Sequence, residues 1–414
     1  MNNKLPHIVI IGAGFGGLHA ANSLAGKPVL VTLIDKRNYH LFQPLLYQVA
    51  TAGISPHEIA YPVRAIFHRQ KNFEFLMARV NGVDFERKRV LSEHGEVAYD
   101  YLILAAGASV NFFGNASLEQ NALALKDVSD AVTVRNHVLR MFEMAALETD
   151  PQKRAAMLTF VVVGGGPTGV ESAGALSELI RLVLRRDFRN MDIDNVRVLL
   201  LEAAPNLLAG FPARLQQSAR RALERKQVQV RLEAKVDNFD GQILTLAGGE
   251  LIPARTVLWS AGVQAASLLR GLGLETSRAG RVKVLPTLQV PNQPHVYVIG
   301  DGSYVEENGK ALPMVAPVAT QQGKHAVRNI LSQIKGQPLK PFKYTDLGMM
   351  ATIGRNAAVA VTLGMQFRGF LAWVVWLVIH LIGLIGFRNR LIVLINWAWD
   401  YFFYDRAVRL ISRE

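Results

Sequence analysis

The chain has 414 residues, enough for two or three domains, and its 50% hydrophobic and 19% charged residues exclude a disordered protein. It contains no cysteine, which excludes disulfides, thiolate metal sites, iron–sulfur clusters and thiol redox relays. The formal net charge of +13 favours an anionic membrane surface or nucleic acid, but no zinc-finger spacing and no run of five Lys or Arg supports nucleic-acid binding.

The chain begins with a strand, a glycine turn, a helix and a second strand. The apolar run His7–Ile11 leads into Gly12, Gly14 and Gly17, which stand in G-x-G-x-x-G register, and the second strand ends at Asp35. Such glycines permit a tight turn, close approach of a pyrophosphate and close packing of helix on strand, and an acid at this place binds ribose hydroxyls. This order predicts a dinucleotide site. The N-terminal apolar run is too short for a signal peptide, so we expect the bulk of the chain to stay in the cytoplasm.

The same unit recurs after residue 158. A strand over Thr159–Val163 precedes Gly164, Gly166 and Gly169 in register, then a helix, and the next strand ends at Glu202. A duplicated fold without a ligand is the alternative. A carboxylate at Glu202 would hold the 2′-hydroxyl of NAD and repel a 2′-phosphate, so the sequence predicts NADH rather than NADPH.

Two such units predict two nucleotides, FAD and NADH, and three further segments favour FAD at the first site. The strand within 99–108 ends in small residues that suit close approach of a cofactor, and 257–263 mirrors it for the second unit. The stretch 287–303 ends in Gly-Asp, which places Asp301 to bind the ribityl chain; an ordinary turn acid is the alternative.

We therefore predict an α/β fold with two Rossmann-type dinucleotide-binding domains, the NADH domain inserted into the FAD domain, followed by C-terminal apolar, amphipathic membrane-anchoring helices. The expected FAD domain covers residues 1–112 and 283–345, the NADH domain 113–282, and the membrane-anchoring region 346–414.

The tail carries nineteen uncharged residues at 369–387, GFLAWVVWLVIHLIGLIGF. As one helix they would cover about 28 Å, close to the ~30 Å hydrocarbon core. Arginines flank the run on both sides, so no positive-inside asymmetry supports a span. A second apolar stretch, 391–403, follows the RNR at 388–390. We expect two apolar helices joined by RNR that lie on the membrane; a true span and a buried dimer helix are the alternatives.

Aromatic and basic residues near the end of the chain fit this anchor. The aromatic side chains suit the headgroup layer and the arginines suit anionic lipid. The residues are Trp397, Trp399, Tyr401, Tyr404, Arg406, Arg409 and Arg413. His380 stands alone in the apolar run and is not expected to be catalytic.

With these motifs the chain resembles the type II NADH dehydrogenases, the non-pumping NADH:quinone oxidoreductases among the flavoproteins with two dinucleotide-binding domains. Disulfide reductases and sulfide:quinone reductases of this fold need cysteines that are absent here. The segments that carry the resemblance are 11–21, 39–56, 161–179, 298–303, 316–330, 348–360 and 386–411. The resemblance implies non-covalent FAD, NADH as donor, a membrane quinone as acceptor, membrane lipid contact on the cytoplasmic face of the inner membrane, and a homodimer without nucleic acid.

The resemblance also assigns residues. The predicted FAD contacts are Gly12, Gly14, Phe15, Gly16, Gly17, Asp35, Lys36, Pro44, Gln48, Val80, Ala106, Gly107, Asp301, Val318 and Ala319. The predicted NADH contacts are Gly164, Gly166, Pro167, Thr168, Gly169, Glu202, Ala261 and Gly262. For Pro44 and Gln48, a buried loop without cofactor contact is the alternative.

Two further roles concern the reaction itself. The resemblance places Glu171 beside the nicotinamide and the flavin edge; a helix N-terminal acid stabilised by the dipole is the alternative. The family's quinone motif often reads Ala-Gln-x-Ala-x-Gln, and here Pro317 replaces its first glutamine. Gln321 remains the catalytic and quinone candidate, with Gln322 beside it; an ordinary polar helix face is the alternative. Pro317 is expected in the first turn of this helix, whose positive end would face the flavin pyrimidine edge.

Two rival functions stay open from the sequence. The first is an NADH-dependent flavoprotein reductase of a soluble electron carrier, which leaves the apolar tail unexplained. The second is a membrane-attached redox sensor that holds both nucleotides without turnover.

Overall fold

The computed structural model describes residues 5–277, 279–362, 364–403 and 408–412. They form two compact units. The first contains the residues up to 41, 61–109 and 263–346, and the second contains 42–60, 110–262 and the residues from 347 onward.

Strands occur along most of the chain. They are β1 His7–Ile11, β2 Leu30–Asp35, β3 Tyr39–Leu41, β4 Ala60–Pro62, β5 Phe73–Met77, β6 Val80–Asp84, β7 Arg89–Ser92, β8 Gly95–Ala98, β9 Tyr101–Leu104, β10 Ala108–Val110, β11 Leu123–Ala124, β12 Thr159–Val163, β13 Arg197–Leu201, β14 Val228–Arg231, β15 Val236–Phe239, β16 Ile243–Leu246, β17 Leu251–Pro253, β18 Thr256–Trp259, β19 Val263–Ala265, β20 Val282–Lys283, β21 Gln289–Val290, β22 Gln293–Val298, β23 Ser303–Tyr304, β24 Glu306–Glu307, β25 Lys310–Ala311, β26 Met349–Thr352, β27 Ala358–Thr362 and β28 Met365–Arg368.

Helices connect them. They are α1 Phe15–Ser23, α2 Leu46–Ala50, α3 Pro56–Ile59, α4 Val63–Ile66, α5 Ala116–Asn121, α6 Val128–Leu147, α7 Pro151–Met157, α8 Pro167–Glu178, α9 Arg185–Asp187, α10 Ala213–Arg225, α11 Ser267–Arg270, α12 Ala316–Ile334, α13 Gly369–Gly383 and α14 Phe387–Phe403. A π-helical segment, Leu179–Leu184, continues α8, and short 3₁₀ segments cover Gln43–Leu45, Ile193–Asn195 and Gly300–Gly302.

The first unit is built on the sheet β21-β22-β9-β1-β2-β5. All its pairs are parallel except β21 with β22. Its central strands are continuous apolar runs, as expected when both faces of a parallel sheet are covered. Because the strands are parallel, the carboxyl ends of β1, β2, β9 and β22 meet at one edge, where ligands bind in open α/β sheets.

The second unit repeats this design with the all-parallel sheet β11-β18-β12-β13-β14. The carboxyl ends of β12, β13 and β18 lead into Gly164, Glu202 and Ser260. The antiparallel sheet β26-β27-β28 belongs to the same unit and packs through β26 on α8.

The units differ from the predicted domains most at 263–282, at 42–60 and in the tail, where the residues from 347 onward join the second unit. Residues 263–282 belong to the first unit because Ala265, Leu269 and Val282 share a hydrophobic core with β1 and β9. Residues 42–60 belong to the second unit, where α2 packs on α6 and α8. The division by cofactor stays a prediction.

The tail differs from its prediction. The apolar run at 369–387 is not one helix: α13 ends at Gly383, and its 15 residues cover about 22 Å. The chain turns at Gly386, whose φ is +86°, and 388–390 lies inside α14, so the predicted RNR joint is wrong. None of the helices in the described ranges is both long and apolar enough to cross a bilayer. Within the predicted anchoring region, Met349–Thr352, Ala358–Thr362 and Met365–Arg368 form β26, β27 and β28.

One side of the two tail helices is buried. Ala372, Trp376 and Val393 have at most 1% of their surface exposed. The other side exposes large apolar side chains, which we call the apolar tail face: Phe370, Leu371, Val378, Ile379, Ile382, Phe387, Leu391, Leu394, Ile395, Trp399, Phe402 and Phe403.

Candidate functional site

The first glycine turn follows β1 and begins α1. Gly12 has a φ of +106°, and a Cβ there would lie 2.3 Å from the Ala105 carbonyl oxygen. A Cβ on Gly17 would lie 1.9 Å from the Gly12 carbonyl oxygen. Nothing lies within 4 Å of a Cβ built on Gly14, the N-cap of α1. The turn is therefore closed on the protein side and open at the helix N-terminus, where phosphates bind.

Asp35 closes this turn from the end of β2. Its carboxylate accepts hydrogen bonds from the backbone N–H of Ala13 at 2.7 Å and of Arg37 at 2.8 Å. The imidazole Nδ1 of His40, a buried side chain, lies 2.8 Å from the Ala13 carbonyl oxygen, and Phe15 packs edge-on against its ring at 5.1 Å. Burial lowers the pKa of His40. A neutral ring therefore holds the turn without placing a charge beside Asp35.

A second turn of the first unit carries Asp301. It follows β22, and Gly300 needs its φ of +69°. Helix α12 packs against it: a Cβ on Gly300 would lie 3.2 Å from the Ala319 Cβ, and one on Gly323 would lie 2.3 Å from the Gly16 carbonyl oxygen. Helix α12 thus touches both turns, and Pro317 lies in its first turn as predicted.

The two neighbouring glutamines of α12 have different surroundings. Gln321 is half-buried, and its amide forms two hydrogen bonds to the Thr345 backbone, at 2.8 and 3.0 Å. Gln322 has no exposed surface, and its Oε1 accepts from the Gly300 N–H at 2.6 Å and the Ser303 hydroxyl at 3.0 Å. Neither arrangement is an exposed polar helix face, and their quinone roles stay predictions.

The second glycine turn repeats the first. Gly164 has a φ of +109°, and a Cβ there would lie 2.8 Å from the Ala261 backbone nitrogen. A Cβ on Gly169 would lie 1.8 Å from the Gly164 carbonyl oxygen. A Cβ built on Gly166, the N-cap of α8, would have no atom within 4 Å. Glu202 accepts from the N–H of Gly165 at 2.5 Å. Its second oxygen accepts from the Ala204 N–H at 2.7 Å.

The remaining predicted contacts lie around these turns. Pro167 and Thr168 are exposed in the first turn of α8, and Gly262 follows β18 with a φ of +92°. In the first unit, Val318 is buried in α12, Lys36 is exposed after β2, and Gly107 has a φ of +71°. Ala106 and Val80 are half-buried.

Glu171 is a buried acid on α8, with 8% of its surface exposed. Burial raises its pKa from 4.5 to about 8. Two hydrogen-bond donors lower the pKa but do not cancel the effect of burial. They are the Thr352 N–H, 3.4 Å from Glu171 Oε1, and the Trp376 side chain. Glu171 is therefore mostly neutral at pH 7 and can donate a proton.

A largely apolar cavity of about 360 Å³ lies in the second unit between α8, its π-helical extension, α2 and the two tail helices. Ala175 and Glu178, one and two turns after Glu171 on the same face of α8, contribute to its wall. Val378, Leu394 and Phe402 line it and are also 51%, 48% and 71% exposed. The cavity therefore opens at the apolar tail face.

Gln48 and Trp397 meet in the cavity wall. The Trp397 indole N–H donates to Gln48 Oε1 at 2.8 Å, and the Gln48 amide donates to the Tyr47 hydroxyl at 2.9 Å. Pro44 lies one turn earlier, in the 3₁₀ segment before α2. Trp397, which the sequence predicts for the headgroup layer, is half-buried in the cavity wall, and its headgroup position stays a prediction.

A charged cluster that the sequence did not indicate forms another part of this wall. Glu178 binds Lys226 at 2.6 Å and accepts from the Arg355 backbone N–H at 2.7 Å. The Arg355 guanidinium lies 4.5 Å from the centre of the Tyr401 ring and donates to the Tyr401 carbonyl oxygen. Tyr401 also stacks on Trp373, and both rings line the cavity.

The end of the tail also contacts the second unit. Arg409 forms an ion pair with Asp187 at 2.8 Å instead of standing free for lipid. His380 stacks on Trp376 at 4.1 Å and its burial lowers its pKa to about 4, as suits a structural residue. Tyr404, Arg406 and Arg413 lie outside the described residues.

The residues present fit adenine dinucleotides. Both turns place glycine where a Cβ would strike backbone, leave the helix N-terminus open, and set a carboxylate at the end of the second strand. These are the features that hold a pyrophosphate and an adenosine ribose. The described residues contain no cluster of His, Asp and Glu suited to a metal ion.

Known proteins match this chain over nearly its whole length. Residues 6–323 match the family model described as pyridine nucleotide-disulphide oxidoreductase. The chain is 42% identical to the type II NADH:quinone oxidoreductase Ndh of Mycobacterium tuberculosis, over 98% of this chain and 90% of that protein. The chain belongs to the type II NADH:quinone oxidoreductases of this family. The family and the enzyme class predicted from the sequence are confirmed.

A more distant relative and a solved structure are also similar to this chain. The chain is 30% identical to the mitochondrial internal alternative NAD(P)H-ubiquinone oxidoreductase A1 of Arabidopsis thaliana, over 96% of this chain and 84% of that protein. The structure of NDH2 from Plasmodium falciparum in complex with NADH superposes with a TM-score of 0.89 at 20% identity, covering 99% of this chain and all of that one. This likeness confirms the α/β fold.

Proposed function

We propose that this chain oxidises NADH and reduces a membrane quinone, with non-covalent FAD as the carrier and without proton pumping. The balanced reaction is NADH + H⁺ + quinone → NAD⁺ + quinol. The cavity carries the quinone part of this proposal because it is apolar, opens at the apolar tail face and reaches α8, the helix of the NADH-binding turn.

FAD supplies the hydride acceptor that passes two electrons onward. The residues that would hold it are the first glycine turn, Asp35 and Asp301, with α12 packed behind both turns. The second glycine turn and Glu202 would hold NADH. Both oxygens of Glu202 are bonded to backbone N–H groups, which fixes its side chain where a 2′-phosphate would lie and favours NADH over NADPH.

Glu171 holds a proton on its carboxyl group at neutral pH because it is buried. A neutral acid adds no negative charge beside the nicotinamide and offers an O–H donor. Glu171 lies one turn before Ala175, which lines the cavity. Its proton therefore has only a short distance to travel along α8 to reach a molecule in the cavity. Glu171 is therefore our candidate for one of the two protons that the quinone takes up.

The apolar tail face explains how a quinone arrives. Quinones dissolve in lipid, and an exposed apolar helix face is buried when it lies in the membrane interface. Its most exposed side chain on α14 is Phe387, at 80%, and on α13 it is Ile382, at 63%. We propose that this face lies on the cytoplasmic surface of the inner membrane and that the enzyme acts as a homodimer.

Steady-state turnover tests this function. We expect the FAD-loaded protein to consume one NADH for each short-chain quinone reduced, and to prefer NADH to NADPH. Reduction of a soluble ferredoxin or rubredoxin with no reduction of quinone would favour the soluble-carrier rival instead. Binding of both nucleotides without turnover on any acceptor would favour the redox sensor.

A further inference from the structure

Gln322 is the most buried polar side chain of α12, and it packs against the turn that carries Asp301. Gln322 has no exposed surface, and its Oε1 accepts two hydrogen bonds from that turn, from the Gly300 N–H at 2.6 Å and from the Ser303 hydroxyl at 3.0 Å. The Gly300 N–H can only donate, so it fixes which end of the amide is the oxygen.

The Asp301 turn is tightly packed around this contact. Gly300 adopts a positive φ, and Gly302 is so tightly packed that a Cβ there would lie 2.2 Å from Leu269. Ser303 is fully buried, and its carbonyl oxygen accepts from the guanidinium Nε of Arg281 at 2.9 Å. Gln322 and Arg281 thus hold Ser303 from its side chain and its backbone, and Asp301 lies between the two residues that Gln322 binds.

The other end of the Gln322 amide is buried as well. Within the part of the chain that the structure describes, its Nε2 has no hydrogen-bond partner although the side chain is fully buried. A buried donor costs free energy unless a ligand or an ordered water accepts from it. The turn it lies against is the one that would hold the ribityl chain of FAD.

We propose that Gln322 is a positioning residue of the FAD site, which fixes the Asp301 turn for the cofactor, and not a quinone ligand. This inference rests on the proposed function because it requires FAD at the first site. Gln321, which bonds to Thr345, is the only member of the pair left for the quinone role that the sequence suggested for both.

Titration of the apoprotein with FAD, followed by flavin fluorescence, tests the proposal without turnover. Gln322→Met keeps the side-chain length and removes both hydrogen bonds, so we expect FAD to bind about tenfold more weakly or worse. Ser303→Ala removes, with little change of volume, the hydroxyl that lies 3.0 Å from both Gln322 Oε1 and the Gly300 carbonyl oxygen, and it should weaken FAD binding in the same direction. It serves as the second variant if Gln322→Met folds poorly.

A double-mutant cycle separates positioning from general destabilisation. If Gln322 acts through Asp301, Gln322→Met should have little further effect in a protein that already carries Asp301→Ala. In that background we expect it to weaken FAD binding by less than about threefold. Asn329→Leu is the matched control: this buried amide lies on the same helix but bonds to Thr287 and Lys340, so it should lower stability and leave FAD affinity unchanged.

Three outcomes would overturn the proposal: unchanged FAD affinity in Gln322→Met, an equal loss in both Asp301 backgrounds, or a raised quinone KM with FAD binding intact. The wild-type titration separates the two claims. If the wild type binds no FAD, the proposed function fails; if it binds FAD and Gln322→Met binds equally well, only this inference fails.

Discussion

The buried acid Glu171 makes the stability of the protein depend on pH in a predictable direction. Its pKa rises from 4.5 to about 8 on folding because of burial. Between these values the folded protein keeps a proton that the unfolded chain has lost, so the free energy of unfolding falls as the pH rises. The slope of one such group is about 1.4 kcal/mol per pH unit. Over two pH units inside this window the loss is about 3 kcal/mol.

Glu171→Gln isolates this contribution. Glutamine has the same shape as the protonated acid and does not titrate, so every other pH-dependent group cancels between variant and wild type. We expect the two proteins to be similarly stable near pH 5 and the wild type to become about 3 kcal/mol less stable, relative to the variant, between about pH 5.5 and 7.5. Urea unfolding with saturating FAD measures the difference.

A flat difference across this pH range would refute the reasoning, because it would mean that Glu171 titrates alike in the folded and unfolded states. A difference of opposite sign would mean that the folded protein stabilises the carboxylate. In that case Glu171 would not hold a proton at neutral pH and could not be the proposed proton donor to the quinone.

Three further predictions concern the tail, the cavity and the NADH turn. Phe387→Ser should weaken binding to anionic lipid vesicles about tenfold or more in a flotation assay, because a buried Phe contributes about 1.5–3 kcal/mol, whereas Leu147→Ser, at an 84% exposed position of α6, should not. Equal effects of the two variants would contradict the proposal that the apolar tail face lies on the membrane. Trp397→Phe removes the hydrogen bond to Gln48 in the cavity wall and should change the quinone KM while flavin reduction by NADH keeps its rate; unchanged quinone kinetics would argue against the cavity as the quinone site. Gly169→Ala places a Cβ 1.8 Å from a carbonyl oxygen and should weaken NADH binding more than tenfold with FAD retained, as measured by NADH titration. Normal NADH affinity would count against this turn.

The sequence predicted the two glycine turns well because their chemistry is local. The strands His7–Ile11 and Thr159–Val163 have the predicted bounds, and Asp35 and Glu202 lie where strand length and turn geometry put them. A strand, a tight turn and a helix in succession leave few alternatives for these residues.

Tertiary packing decided what the sequence could not. Gln321 and Gln322 are neighbours with the same chemistry, yet only Gln322 is on the face of α12 that packs against the Asp301 turn. Trp397 looks like a headgroup residue, but α3 and α14 are joined by the Asn396–Glu58 hydrogen bond, and Trp397 faces Gln48. The helix joint at Gly386 was missed because the arginines just after it are a stronger signal than one glycine.

Rapid mixing of the two half-reactions tests the central claim most directly. We predict that NADH bleaches the flavin absorbance of the purified, FAD-loaded protein, and that mixing the reduced protein anaerobically with a short-chain quinone restores it with formation of one quinol per flavin. A flavin that NADH does not bleach, or that a quinone cannot reoxidise, would contradict the account.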